Sequence, residues 1–491
     1  MPGYYVENFG CRATQADGAA LERQFEDRGL PRASDPALAS IVVLNTCTVT
    51  AAADQDARAA IRRVQRQNPD AEIVVTGCYA QRAPEELAKL AGVTLVVGNS
   101  HKHQLAEIVS RSGYRLDASP ASAGHQTYAP EAAFFPLTKL TENRDAETGN
   151  SIFVSDIFAH TELLAAPVFE AGDGNDSTRT RPNLKIQDGC DNRCSFCVIP
   201  YVRGNSRSLS MPEIIREVDA LVAAGYREVV LSGINLGRWG CDLAVTPRGR
   251  FASLVRAILS QTDIEKLRIS SVEPMDWTDE LISLVASSRR IAKHAHVPLQ
   301  SGSDSVLRRM HRKYRPWHYR EKIAKVRAAM PTAAIGADVM TGFPGETDVE
   351  FEATRRFIED LPFTYLHVFT YSARPGTPAA TMASQVPVHV ARERNRTLRE
   401  LASEKKLAFM RGFIGKTVEA ITLGVVANDT RGEFTEALTD NYLKMRLEGH
   451  QPPNRWVHAR VEAIVDGALV GAISDQVTDS SASAKQRYSA A

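Results

Sequence analysis

The sequence Gly-Cys-Asp-Asn-Arg-Cys-Ser-Phe-Cys occupies residues 189–197 and places three cysteines at a C-x3-C-x2-C spacing, directly after the strand-like run Leu184–Gln187. A structural zinc site uses four ligands, and no fourth Cys or His follows within a turn. The spacing therefore favours a four-iron cluster held by Cys190, Cys194 and Cys197, with one iron left open. The alternatives, three buried cysteines or an incomplete zinc knuckle, would leave neighbouring thiols prone to oxidation.

An aromatic residue, Phe196, precedes the last of these cysteines. With it, the loop resembles the signature of the radical S-adenosylmethionine enzymes. The resemblance implies that the open iron holds the amino and carboxylate groups of S-adenosylmethionine. We therefore expect Phe196 to lie beside the cofactor.

Length and composition predict a soluble chain of about three domains, because 491 residues exceed what one hydrophobic core usually supports. A formal net charge of +1 neither requires nor excludes a nucleic-acid partner. The seven cysteines, without a signal-peptide pattern, argue against a secreted disulfide framework and for a cytoplasmic location. No apolar run approaches the length of a membrane span, so we expect no membrane contact.

Three strand-like runs near the amino terminus each end close to a cysteine. The runs are Tyr4–Asn8 before Cys11, Ile41–Thr46 before Cys47 and Glu72–Gly77 before Cys78. Helical patterns separate them, which predicts a parallel α/β sheet whose ligands gather at the carboxyl ends of the strands. One such cysteine alone is more often a buried structural residue. Three at equivalent strand ends predict a second three-thiolate cluster, again with an open iron.

Two of these cysteines lie in longer motifs. Residues 45–50 have the sequence Asn-Thr-Cys-Thr-Val-Thr, and residues 76–81 have Thr-Gly-Cys-Tyr-Ala-Gln. Together with the 189–197 loop, they resemble the tRNA methylthiotransferases over nearly the whole chain. The continuation Thr48–Thr50 resembles the branch that acts on threonylcarbamoyladenosine. The isopentenyladenosine branch and the ribosomal-protein branch usually continue differently there and are kept as alternatives.

The resemblance implies two [4Fe-4S] clusters, S-adenosylmethionine, and addition of a methylthio group to C2 of N6-threonylcarbamoyladenosine at position 37 of tRNA. A C2 hydrogen of adenine is too weakly acidic for general-base catalysis, so we expect the cofactors to carry the hard step. An electron donor such as a flavodoxin or ferredoxin would reduce the radical cluster, and the second cluster would present sulfur. The sulfur donor and the oligomeric state do not follow from the sequence. The rival from another class is a non-catalytic iron–sulfur protein that binds RNA.

The middle of the chain, residues 181–410, contains six strand-like runs separated by helical patterns. The runs are Leu184–Gln187, Glu228–Leu231, Leu267–Ser270, His294–Leu299, Ile335–Met340 and Tyr365–Phe369. Six strands predict an incomplete (β/α)6 barrel with functional residues at the carboxyl ends. The stretch Ser232-Gly233-Ile234-Asn235 resembles one that positions the amino group of the cofactor. Glu273, Gln300 and Asp338 offer further donors or acceptors, with helix capping or turn formation as the alternative.

The segments between these regions carry weaker patterns. Residues 113–180 predict a connection between a first domain, 1–112, and the middle domain. Within it, the patch Ile152–Phe158 either adds a strand or packs on a neighbour, and packing is favoured. Cys241 does not belong to either set of three cysteines, and we expect it to be a structural or exposed thiol without a ligand role.

Short strands with few helices predict a small antiparallel β-barrel for residues 411–475. After a radical core, such a barrel resembles the RNA-binding TRAM domain. Its basic residues offer contacts to phosphates, although for any one of them a solvated surface charge is the more frequent role. These residues are Lys416, Lys444, Arg446, Arg455 and Arg460. We expect the partner to be the anticodon stem-loop of a tRNA, whose target base leaves its stack. The polar tail, 476–491, is expected to be disordered.

Overall fold

The computed structural model describes most of the chain. The described residues are 3–111, 142–144, 149–160, 162–164, 180–244, 250–429 and 432–474. The predicted disordered tail lies outside them, as do most residues of the connecting segment.

The first domain contains a six-stranded sheet flanked by helices on both faces. The strands are β1 (Tyr4–Asn8), β2 (Ile41–Thr46), β3 (Glu72–Gly77), β4 (Val93–Gly98), β5 (Glu142–Arg144) and β6 (Ser151–Phe153), in the order β1-β2-β3-β4-β6-β5. The helices are α1 (Arg12–Glu26), α2 (Ala51–Gln67), α3 (Cys78–Arg82), α4 (Pro84–Ala88) and α5 (Leu105–Arg111). Strands β1 to β4 and β6 are parallel, and only β5 pairs antiparallel. The predicted parallel α/β domain is confirmed.

Every residue of β2 and β3 is buried, because both faces of the sheet are covered. Helices α1 and α5 pack on one face, and α2 to α4 pack on the other. The register aligns the carboxyl ends of the strands, since Asn8 pairs with Asn45 and Thr46 pairs with Gly77. The residues that follow these three strands therefore leave the sheet at the same edge.

The connecting segment adds to this sheet, which differs from the favoured prediction. For the patch 152–158 packing was favoured over an added strand, but Ser151–Phe153 forms a strand whose Ser151 pairs with Leu95 of β4. A run of three residues carries too little alternation to distinguish a strand from a packed loop. The open edge of β4 supplies the missing information, because its backbone groups need partners.

The middle domain is the predicted incomplete barrel. Its strands are β7 (Asn183–Asp188), β8 (Arg207–Ser208), β9 (Glu228–Gly233), β10 (Lys266–Ile269), β11 (His294–His296), β12 (Ala334–Thr341) and β13 (Tyr365–Thr370). The hydrogen-bonded orders are β8-β7-β9-β10 and β11-β12-β13, and single bridges, Leu267 to Ile291 and Ser271 to His296, connect the two sheets. Apart from the short antiparallel β8, the paired strands are parallel.

Helices surround this barrel on the outside. They are α6 (Ile199–Arg203), α7 (Met211–Ala223), α8 (Arg250–Gln261), α9 (Asp279–Ser287), α10 (Asp304–Arg309), α11 (Pro316–Ala329), α12 (Asp348–Asp360) and α13 (Val388–Arg411). Along β7, Leu184 and Ile186 pack with these helices, so the alternate residues Lys185 and Gln187 point the other way, into the barrel. Both polar residues are buried. The barrel interior is therefore polar.

The last domain is the predicted small barrel, closed and five-stranded, and its strand pairs are antiparallel except for one parallel pair between its third and fifth strands. Its strands are β14 (Thr417–Asp429), β15 (Gly432–Thr439), β16 (Lys444–Glu448), β17 (Trp456–Val465) and β18 (Ala468–Ile473), in the order β14-β15-β16-β18-β17. It docks on the middle domain through Lys266, whose Nζ lies 2.6 Å from a Glu419 oxygen. Arg268 adds a hydrogen bond of 3.0 Å to the carbonyl oxygen of Asp440.

None of the helices in the described ranges is both long and apolar enough to cross a membrane.

Candidate functional site

The 189–197 loop leaves the carboxyl end of β7 and is held by backbone contacts. Gly189 has a φ of 69°, and a side chain there would lie 1.9 Å from the carbonyl oxygen of Asn205. The amide of Cys190 donates to the carbonyl of Gly204 at 3.0 Å. Ser195 donates through its amide to Met310 O at 3.1 Å. These contacts fix the loop that carries the three cysteines.

Two polar side chains reach the sulfur atoms of this loop. Arg312 Nη1 donates to Cys194 Sγ at 3.2 Å, and Asn235 Nδ2 lies 3.7 Å from Cys190 Sγ. Arg312 also forms an ion pair with Glu273, which was predicted to contact the cofactor. Burial raises the pKa of Cys197 to about 12, so the free thiol is protonated at neutral pH. A bound metal cluster would have to replace that proton, as thiolate ligation requires.

Buried polar atoms without partners lie at two of the predicted cofactor positions. Among the described residues, Asn235 Oδ1 and Gln300 Oε1 are buried and accept no hydrogen bond. Gln300 also has a φ of 64°, a conformation that costs free energy unless its surroundings enforce it. Buried polar groups almost always have partners, so this pattern fits a ligand with ammonium or hydroxyl donors, as S-adenosylmethionine has.

The other predicted cofactor residues lie along the same barrel mouth. Ser232 is buried, and a side chain on Gly233 would lie 2.9 Å from Gln187 Oε1. The ring of Phe196 meets Phe343 edge to face, with centroids 6.5 Å apart. Phe343 belongs to the turn after β12. Asp338 instead faces His296, whose Nε2 lies 3.3 Å from its Oδ1.

The second set of cysteines gathers at the aligned edge of the first sheet. Cys47 and Cys78 are buried, whereas Cys11 is exposed. Gly10 has a φ of 103°, and a side chain there would lie 2.8 Å from Cys47 Sγ, which places Cys47 beside the chain that leads into Cys11. Burial and, to a smaller extent, the nearby Cys78 raise the pKa of Cys47 to about 12.

The two sets of cysteines adjoin each other across α6. This helix begins two residues after Cys197, and Cys78 packs against Val198 and Val202. Asn99 Nδ2 lies 3.5 Å from Cys78 Sγ and donates to the carbonyl of Val202 at 2.7 Å. The end of the first sheet and the cysteine loop of the barrel are thereby joined.

Within the described part of the chain, no three His, Cys, Asp or Glu side chains converge closely enough to hold a single metal ion. A four-iron cluster differs from a single ion in this respect, because each cysteine binds a different iron.

A buried charge network joins the first two domains beside the cysteines. Asp17 of α1 accepts from Lys102 Nζ at 3.0 Å, from Arg203 Nη2 at 2.9 Å, and from Lys185. Asp188 accepts from Lys185 at 3.0 Å and from Arg203 Nη1 at 2.9 Å. Three cations against two carboxylates leave one positive charge over. Its electrostatic effect extends to the thiols, since thiolates at Cys78 and Cys11 would raise the pKa of Arg203.

A second network positions the chain that follows Cys47. Thr48 Oγ1 donates to Asp54 at 2.6 Å and accepts from Arg82 Nε at 2.8 Å. Arg374, from the loop after β13, donates to the carbonyl of Thr48 at 3.1 Å and to Asp54 at 3.0 Å. The barrel and the first sheet therefore hold this segment jointly.

Four residues of the site had no signal in the sequence analysis: Gln187, Arg203, Arg312 and Asn99. Gln187 donates to Gly189 O and accepts from the Asn235 amide at 2.7 Å. The one usable hint was charge within an apolar strand, since Lys185 lies in a run otherwise fit for burial and so required a buried partner.

Family comparisons agree with this architecture. Residues 3–98 match the family described as "Uncharacterized protein family UPF0004", and residues 184–358 match the radical SAM superfamily. The chain is 36% identical to threonylcarbamoyladenosine tRNA methylthiotransferase MtaB of Bacillus subtilis, over 90% of this chain and 89% of that protein. The chain belongs to the radical S-adenosylmethionine tRNA methylthiotransferase family.

Other methylthiotransferases show how far the similarity extends. MtaB of Aquifex aeolicus is 34% identical over 93% of this chain and 99% of its own length. The tRNA-2-methylthio-N(6)-dimethylallyladenosine synthase of Novosphingobium aromaticivorans is also 34% identical, over 85% of this chain and 86% of its own length. The predicted family is thus confirmed, as are its cofactors, S-adenosylmethionine and iron–sulfur clusters.

A solved structure supports the fold of this methylthiotransferase. The radical S-adenosylmethionine methyltransferase TsrM from Kitasatospora setae, solved with cobalamin and a [4Fe-4S] cluster bound, aligns with a TM-score of 0.55. The alignment covers 77% of each chain at 15% sequence identity. The assignment of the six cysteines to two clusters remains a prediction.

Proposed function

We propose that this methylthiotransferase adds a methylthio group to C2 of N6-threonylcarbamoyladenosine at position 37 of tRNA, next to the anticodon. The observation that carries the proposal is the meeting of two three-cysteine sets across α6, in a chain of this family. The substrate follows the names of similar relatives, since MtaB proteins from four organisms are 32–36% identical over at least 90% of this chain.

The side chains around the clusters would bind and orient the cofactor and the substrate. No side chain can itself remove the weakly acidic C2 hydrogen of adenine. When bound, S-adenosylmethionine and the iron–sulfur clusters supply one-electron chemistry, a methyl group and sulfur. Asn235 and Gln300 present buried acceptors to the donors of the cofactor. Arg312 places a positive charge 3.2 Å from Cys194 Sγ. Glu273 neutralises that charge and keeps the guanidinium in place.

The last barrel is proposed to bind the RNA backbone. Four of its predicted basic residues, Lys416, Lys444, Arg455 and Arg460, are exposed. Arg446 is partly buried, and its Nη1 lies 3.3 Å from Asp466. Exposed cations on one small domain suit phosphate contacts, whose strength falls with salt. The target base would then leave the anticodon loop to reach the cysteine sets.

Three further parts of the proposal rest on chemistry rather than on contacts. An electron donor such as a flavodoxin or ferredoxin would reduce the cluster at Cys190, Cys194 and Cys197. The domains are proposed to divide near residues 112, 180 and 410, with two strands of the connecting segment joining the first sheet. The reducing cytoplasm remains the proposed location, because six unpaired cysteines must stay available as ligands.

Loss of the gene should remove 2-methylthio-N6-threonylcarbamoyladenosine from tRNA. Nucleoside mass spectrometry on tRNA from cells lacking the protein should show the unthiolated nucleoside in its place, and the intact gene should restore the product. The methylthio derivative of isopentenyladenosine, where the cell makes it, serves as the internal control and should not change. Loss of that derivative instead would assign the chain to the other tRNA branch, against the proposal.

A further inference from the structure

A cluster of polar rings lies inside the barrel, toward the amino ends of its strands, and takes no part in the chemistry above. His294 Nε2 and Tyr365 Oη, from the first residues of β11 and β13, are 2.6 Å apart. His367 lies 5.3 Å from Tyr365 and 5.6 Å from His296, measured between ring centroids. The Tyr365 ring occupies space that only a glycine leaves, since a side chain on Gly336 would lie 2.0 Å from it.

Residues of the other two domains meet this ring cluster. Arg12, the first residue of α1, donates from Nη2 to the hydroxyl of Tyr442 at 3.1 Å. Tyr442 lies between β15 and β16, with its ring centroid 4.7 Å from His294 and 5.9 Å from Tyr365. It has a φ of 68°, an uncommon conformation that its surroundings must hold. All three domains thus converge on one place.

Arg12 has a free positive charge at this convergence. It is exposed, and no carboxylate within the described ranges forms an ion pair with it. Arg203 and Arg312, by contrast, are buried and paired with carboxylates. The charge of Arg12 also faces the ring cluster, since it lowers the pKa of His367, after burial and His296. An anion bound here would find an unopposed guanidinium.

The ring cluster that Arg12 faces carries further polar groups. Asp338 is about one quarter exposed, and its Oδ1 lies 3.3 Å from His296 Nε2. His367 is exposed on the edge strand β13. An apolar substituent placed against these groups would leave them without hydrogen bonds, which binding sites penalise strongly. These groups therefore suit a substituent that carries charge, a hydroxyl and amide-like groups.

We propose that Arg12, positioned by Tyr442, binds the carboxylate of the threonylcarbamoyl group on the substrate adenine. The inference rests on the proposed function and names its specificity residue. In adenine, C2 and C6 flank the same ring nitrogen, and C6 carries N6 with its substituent. A base whose C2 faces the Cys11 set therefore brings the substituent close to the residue after Cys11. Guanidinium and carboxylate match as a bidentate pair. An isopentenyl group has neither a negative charge nor a hydrogen-bond acceptor for Arg12.

The test compares Arg12→Ala with wild-type holoenzyme carrying both clusters. Affinities are measured for three anticodon stem-loops that bear threonylcarbamoyladenosine, isopentenyladenosine or unmodified adenosine at position 37. Wild type should prefer the first, and Arg12→Ala should lower its affinity by about 10- to 100-fold, the range for a lost charged pair. Affinity for the other two should stay the same. Arg23→Ala, an exposed arginine of the same helix, is the matched control and should change nothing.

The outcomes separate this inference from the proposed function. Equal wild-type binding of all three stem-loops, with none methylthiolated, would overturn the proposed function itself. Wild-type preference that survives in Arg12→Ala would overturn only the role of Arg12. Weaker binding of all three stem-loops by the same factor would show that Arg12 contacts a phosphate, which also contradicts the inference.

A second variant covers the case in which Arg12→Ala fails to load iron, since Arg12 adjoins Cys11. Tyr442→Phe removes only the hydroxyl that accepts the hydrogen bond from Arg12. Tyr442 lies 430 residues from Arg12 in sequence, so this substitution does not alter the chain next to Cys11. The preference for threonylcarbamoyladenosine should fall by a few-fold, about the value of one hydrogen bond, while iron content stays at the wild-type level. An unchanged preference would contradict the positioning role.

Discussion

Cys194→Ala abolishes reductive cleavage of S-adenosylmethionine, whereas Cys47→Ala retains cleavage and loses methylthio transfer, if the two cysteine sets divide the work as proposed. Only the 189–197 loop has the C-x3-C-x2-C spacing of the radical S-adenosylmethionine enzymes. Within it, the sulfur of Cys194 accepts a hydrogen bond from Arg312. Cys47 lies in another domain, and its removal leaves the contacts of Cys190 with Gly204 and Asn235 untouched. Cleavage is measured as deoxyadenosine formed with dithionite, and transfer by nucleoside mass spectrometry.

Cys241→Ala is the matched control for both variants, because Cys241 is an exposed thiol remote from either set in sequence. It should keep both activities and the full iron content. Wild type should bind two four-iron clusters, and each of the other variants should lose one. Equal loss of cleavage in Cys194→Ala and Cys47→Ala, with both proteins folded, would contradict the division.

Asp17→Ala should destabilise the protein by about 3–5 kcal/mol, the usual cost of leaving buried charges unpaired. Asp17 accepts from three cations that are themselves buried, and its loss leaves Asp188 alone to balance Lys102, Lys185 and Arg203. Because the network joins the first domain to the barrel, the urea midpoint and the occupancy of the Cys11, Cys47 and Cys78 set should fall together.

Asp27→Ala provides the control, since Asp27 is exposed at the carboxyl end of the same helix and should change stability by less than about 0.5 kcal/mol. Adding Lys185→Met to Asp17→Ala should restore part of the loss, because one unpaired cation goes with it. A urea midpoint for Asp17→Ala equal to that of wild type would show that the network contributes nothing to stability.

The architecture was predictable where its signals are local. Strands β2, β3, β9 and β12 are largely apolar runs, each with a polar or cysteine-bearing turn at its carboxyl end, so they follow from the sequence alone. Their shared edge follows too, because parallel strands end on the same side. The family motifs then add cofactors that no periodicity could reveal.

Strands and partners that depend on distant residues were not predictable. The first three residues of β15 are exposed or half-exposed, and the strand lacks a continuous apolar run, so only its pairing with β14 and β16 makes it a strand. The ion pair of Glu273 with Arg312, 39 residues away in sequence, had no signal in the sequence. Arg12 meets Tyr442 only after three domains have packed together.

The most direct test of the central claim is methylthiolation in a competition reaction. Reconstituted holoenzyme, S-adenosylmethionine, dithionite and a sulfide source are incubated with two anticodon stem-loops, one with threonylcarbamoyladenosine and one with isopentenyladenosine at position 37. Mass spectrometry of the digested nucleosides should show the methylthio group on threonylcarbamoyladenosine alone. A methylthio group on isopentenyladenosine, or on neither nucleoside while S-adenosylmethionine is still cleaved, would contradict the account.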